Sequence, residues 1–138
     1  MLQASEALLD HLEAPSEEFD QAVWLEAAGV YALHLGQLGL AAARFRQALD
    51  RTPAPRRSEQ VLLTMALTRA LAYGRERDGA LATALTAIPE LQALKSRELT
   101  GHYTRFLRDE LLGLFPRDVT CCAFVAQAAR DLRVDAAF

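Results

Sequence analysis

Three histidines, His11, His34 and His102, and two adjacent cysteines, Cys121 and Cys122, are the residues whose types could bind a metal or act as nucleophile and base. A helical zinc site needs two ligands three or four residues apart on one face, and none of the histidines has a His or Cys at that spacing. Neighbours on a helix point about 100° apart, so a disulfide between Cys121 and Cys122 has poor geometry. Both read as free thiols, buried or half-buried. Cys121 with a distant histidine could form a nucleophile and base, but apolar neighbours and the lack of a surrounding nucleophile motif favour packing. There is no glycine-rich phosphate loop and no strand to carry one, and Gly36 and Gly39 belong to a helix turn. No catalytic residue, metal ligand set or cofactor is expected, and the chain does not read as an enzyme.

The charged residues point to surfaces. Glu17, Glu18 and Asp20 form an acidic cluster, and Arg44, Arg46, Arg51, Arg56 and Arg57 a basic one. Solvated helix faces account for both, and a docking patch for an acidic partner is the sharper reading of the arginines. The formal net charge of −3 offers no global excess of positive charge for phosphates, so direct nucleic-acid binding by this segment is not expected. Arginine supplies 14 of the 15 basic residues, a bias better explained by genomic base composition than by function. No apolar run reaches the roughly 18 to 20 residues that span a bilayer. The acidic N-terminus lacks the basic and then apolar pattern of a signal peptide, so the reading is cytoplasmic, with no membrane association.

With 138 residues, 51% hydrophobic and 24% charged, the chain is sized for one domain with its own core. Apolar residues recur at helical spacing throughout. Ala7, Leu8, Leu9 and Leu12 mark a first helix within 1–15, stopped by Pro15. A long helix follows from about Glu17 to Leu35, with Gly36 supplying its left-handed C-terminal turn. The short span Gly36 to Gly39 forces the next helix, 39–51, to run antiparallel. Pro53 and Pro55 end that unit, and Ser58 should cap the next helix, closed by Gly74. Asp78 should cap a helix through Lys95 with a break or kink at Pro89. Ser96 should cap the helix carrying Leu99, Tyr103, Phe106, Leu107, Leu111 and Leu114. Gly101 inside it suggests a helix crossing there. The last helix starts near Pro116 and Asp118 and buries Phe124, Val125, Ala128 and Leu132.

Leu25, Ala28, Gly29, Ala32, Ala41, Phe45, Ala48 and Pro53 follow one another at the spacing of packing positions in a helical hairpin. That arrangement resembles the tetratricopeptide repeat, whose pattern sets a large residue, Leu-Gly and an aromatic on the first helix and Ala, Phe and Pro across the second. Trp24 and Tyr31 each miss the pattern by one place. A generic helical hairpin is the alternative. Residues 17–53 are the best-matching repeat. Ala80 aligns with Ala41 at an offset of 39, which makes 58–95 a degenerate second copy, and 97–132 follows as a C-terminal capping hairpin. Residues 58 to 132 also look similar to the C-terminal repeats of bacterial helix-turn-helix transcriptional regulators, although no DNA-reading helix-turn-helix is evident.

The expected architecture is therefore all-α: about seven helices in stacked antiparallel hairpins, which the resemblance implies to be a tetratricopeptide-like right-handed superhelix. In such proteins the first helices of successive hairpins line a concave groove. That puts Val23, Glu26, Val30, Leu33 and His34 of the first repeat in the groove, and Leu62, Met65, Arg69 and Tyr73 of the second. The subfamily that grips a peptide carboxylate uses Lys and Asn at such places, whereas this chain has Glu26 and Val30, so an apolar peptide or helix fits better. Some of these apolar positions could instead pack against the neighbouring hairpin. The expected function is a non-catalytic, regulatory protein–protein interaction module that takes a protein or peptide partner, a second copy of the chain being one candidate. The alternative is a sensory domain holding a small apolar effector or signalling peptide.

Overall fold

In the computed structural model, residues 18–53 and 56–132 are described, with side chains from residue 21. They form six helices: α1 (Glu18–His34), α2 (Leu38–Arg51), α3 (Arg57–Tyr73), α4 (Arg77–Leu94), α5 and α6 (Val119–Leu132). α5 begins as Arg97–Arg105, widens into a π-helical segment over Phe106–Leu111 and ends with Leu112–Leu114. The helix expected within 1–15 and the side chains of the acidic cluster lie outside the described residues.

Consecutive helices pack as antiparallel neighbours, α1 on α2, α2 on α3 and α3 on α4. The last pair is laid across the second: the π-helical segment of α5 touches α3, and α6 rests on α4 and α5. α3 is thus the central helix, which is why its sequence is buried on more than one face, with Val61, Leu63, Thr64, Met65, Leu67, Thr68, Ala70, Leu71 and Ala72 all inside. The two buried threonines satisfy their hydroxyls within the helix, Thr64 Oγ1 donating to the Gln60 carbonyl at 2.7 Å and Thr68 Oγ1 to that of Thr64 at 2.8 Å. No buried donor is left orphaned by them.

The first hairpin is held as the residue types require. Leu25, Ala28, Ala32, Ala41, Phe45 and Ala48 are all buried. A Cβ on Gly29 would stand 2.6 Å from Cε1 of Phe45, so the missing side chain is what admits the ring between α1 and α2. Gly36 ends α1 at a φ of +75°, with its N–H donating to Leu33 O at 3.0 Å and that of Gln37 to Ala32 O at 2.9 Å. These two bonds make a Schellman turn.

The same turn recurs 39 residues on, with Arg75 N–H donating to Ala72 O and Glu76 N–H to Leu71 O. Gly74 closes α3 as its C-cap, as expected, and the left-handed residue is Arg75, at a φ of 62°. α1 and α3 end 39 residues apart, and α2 and α4 begin 39 residues apart, so the two hairpins share their turn and its spacing while differing in side chains.

Other local expectations are corrected. α3 and α4 are capped two residues earlier than expected, at Arg56 and Glu76, neither of which caps with its side chain. Ser58 and Asp78 therefore fall in the first turn, and Asp78 accepts from the Arg77 guanidinium instead of capping. α4 runs unbroken through Pro89, whose ring is exposed while Ile88 and Leu91 are buried beside it; packing on both sides outweighs the lost hydrogen bond. Gly101 is buried, but a Cβ there would meet only Arg105 Nη1 of its own helix within 4 Å among the described residues. No close crossing explains it. Ser96 does cap α5, accepting from Leu99 N at 3.1 Å, and Asp118 caps α6 by accepting from Cys121 N at 2.9 Å.

Candidate binding face

The residues expected to line a groove lie on α1 and α3, the first helices of two successive hairpins. α1 packs on α2 and leaves a cleft of about 250 Å³ between itself and α3, lined by Ala22, Val23, Glu26, Thr52, Glu59, Leu62 and Leu63. Val23, Glu26 and Leu62 of the expected groove are thereby brought together. Val23 is 50% exposed and Leu62 44%, so the cleft has an apolar rim on both helices.

The remaining expected residues divide. Val30 and Tyr73 are 41% and 47% exposed, respectively, and His34 is exposed at the end of α1. Leu33 is half-buried against the core. Met65 is corrected to the interior: it is 3% exposed, because the central position of α3 turns that part of its surface into packing. Arg69 is committed elsewhere. Its Nε and Nη2 donate to Glu110 of α5 at 2.7 and 3.0 Å, and its guanidinium lies 5.1 Å from the centre of the Phe106 ring.

Electrostatics set the cleft apart from its surroundings. Burial, and then the nearby Glu59, push the Glu26 carboxyl above the usual glutamate range. Glu59 takes a hydrogen bond from Arg56 at 3.0 Å, one turn back on the surface. No cation among the described residues pairs with Glu26.

The contacts that close the other end of the molecule carry no motif. The Tyr103 hydroxyl, fully buried, donates to the Ala84 carbonyl across α5 and α4, and burial raises its pKa well above the ordinary phenol range. Arg77 donates to Asp118 at 2.9 Å. That bond, with the one from Cys121 N, holds the Asp118 carboxyl below its usual range. Arg75 Nη1 donates to the Leu114 carbonyl at 2.8 Å. The one available signal was a regular separation of opposite charges, 41 residues in both Arg69–Glu110 and Arg77–Asp118.

Cys121 is a buried free thiol with its pKa raised, first by burial and then by Asp118. That is the reverse of what activates a nucleophile. Cys122 is also free but exposed, where a half-buried site was expected. Among the described residues no group of His, Cys, Asp and Glu side chains could hold a metal ion, and no helix is long and apolar enough to cross a membrane. No protein-family model, curated protein or solved structure matches the chain.

Proposed function

We propose that this chain is a non-catalytic interaction module, a tetratricopeptide-like array of hairpins wound as a right-handed superhelix, which binds a protein or peptide partner across the face made by α1 and α3. The observation that carries this reading is that Val23, Val30, Leu62 and Tyr73, all between 41% and 50% exposed, lie on the first helices of successive hairpins. An aromatic with a polar tip and aliphatic side chains around a cleft suit a partner surface. The cleft is below the roughly 300–1,000 Å³ of small-molecule sites, which favours a partner's side chain over a whole effector. A regulatory setting is supported by the resemblance of residues 58 to 132 to the C-terminal repeats of bacterial transcriptional regulators.

The experiment is affinity capture from cell extract, followed by calorimetry with the purified partner. Tyr73→Ala and Val30→Asp should each weaken binding while circular dichroism stays helical. Full binding by both variants would refute the face, and unfolding of both would return these residues to the core.

A further inference from the structure

Resting on the proposed binding face, we infer that the cleft between α1 and α3 selects a basic side chain of the partner, an arginine or lysine flanked by aliphatic residues, with its cation between Glu26 and Glu59 and its stem against Val23 and Leu62. Between α3 and α5, Arg69 crosses from one helix to the next, pairs with Glu110 through two hydrogen bonds and lies over the Phe106 ring. An arginine of the chain itself thus supplies both charge and stem.

The 39-residue offset between α1 and α3 puts Val30 in the place on α1 that Arg69 holds on α3. Val30 has no charged group with which to make the same crossing. The first seam instead presents two carboxylates, Glu26 from α1 and Glu59 from α3, around a cleft with aliphatic walls. Arg56 donates to Glu59 at 3.0 Å, and Glu26 has no ion-pair partner among the described residues. A cation entering the cleft relieves the repulsion between the two glutamates and is desolvated against Val23 and Leu62, where its attraction to them is stronger than in bulk water. An acidic or C-terminal carboxylate ligand would meet repulsion at the same place.

A displayed library of random linear peptides, panned against the full chain, tests this. Enriched peptides should carry Arg or Lys next to Leu, Ile or Val. Their synthetic forms should lose about tenfold in affinity towards the Glu26→Gln, Glu59→Gln double variant, and a similar factor when the basic residue is replaced by citrulline or norleucine. The Gln variants keep the shape of exposed side chains, and circular dichroism verifies their fold. Peptides that lose binding to Val30→Asp but show no basic preference, or bind the double variant unchanged, would overturn this inference and leave the binding face standing. If no peptide is enriched, or none responds to Val30→Asp or Tyr73→Ala, the binding face itself falls, and this inference with it.

Discussion

The two seams between successive hairpins are held differently: the first by packing of α2 on α3, with a cleft left between α1 and α3, and the second by charged and aromatic crossings. At the second seam, α5 is drawn onto α3 by Arg69, Glu110 and Phe106, and Arg75, Arg77 and Tyr103 add links from the second hairpin to the third. At the first, the positions of Arg69, Arg75 and Arg77 are taken by Val30, Gly36 and Leu38, 39 residues earlier, and the packing of α2 on α3 is joined among the described residues by one long hydrogen bond, Gln60 Nε2 to Thr52 O at 3.4 Å. Successive helical hairpins can therefore be joined mainly by packing at one seam and by a few long polar side chains at the next.

Phe106→Ala should produce the largest change. Its ring is 5% exposed under Arg69, and such truncations remove about 3–5 kcal/mol. Leu62→Ala at the first seam should remove less than about 1 kcal/mol, since the side chain is already half in water. Urea unfolding of the two variants measures the contrast, and equal losses would show that the seams are equally closed.

Gly29→Leu comes next, because α1 is positioned from its α2 side by the contact between Gly29 and Phe45. Overpacking there should destabilise by about 1–3 kcal/mol. An unchanged melting temperature would mean that α1 is free to shift, in which case the cleft has no fixed width.

Arg69→Ala should cost about 1 kcal/mol, since the ion pair is partly solvated and only the ring contact is dry. The loss should shrink as salt is raised. A loss that salt leaves untouched would assign the closure of the second seam to packing alone.

Glu26 gives the smallest effect, one visible mainly in its pH dependence. Its folded-state pKa is raised, so below that value the native state holds more proton than the unfolded chain, and stability rises as pH falls through it. Glu26→Gln should therefore raise the melting temperature slightly at neutral pH, with the gain disappearing in acid. Asp118 has the opposite sign: its depressed pKa stabilises the fold above the usual aspartate range, and this is lost as pH falls through the lowered value. Asp118→Asn should thus be less stable at neutral pH and converge with the parent chain in acid.

Helix content, the short antiparallel connections and the packing of the first hairpin were legible because each rests on local chemistry. Spacing of apolar residues, a glycine at a left-handed turn and a proline after a helix depend only on near neighbours in the chain. Ala80 aligns on Ala41 at the same 39-residue offset that separates the two Schellman turns, and both residues are buried.

What the tertiary structure alone decided is which half of each helix is surface. Met65 and Tyr73 both belong to the expected groove, yet one is buried and the other exposed, since α3 is covered by α2, α4 and the widened turn of α5. No local pattern marks that turn: Phe106–Leu111 contains neither Pro nor Gly. The left-handed residue after α3 is an arginine beside a glycine that would have adopted that conformation more easily. The sequence by itself determined an α-helical chain of hairpins with a Phe45 and Gly29 core. Pairing of residues 19 to 41 positions apart, through Arg69, Arg77 and Tyr103, decided how the second seam closes, because such contacts depend on how whole helices are set against each other and not on near neighbours in the chain.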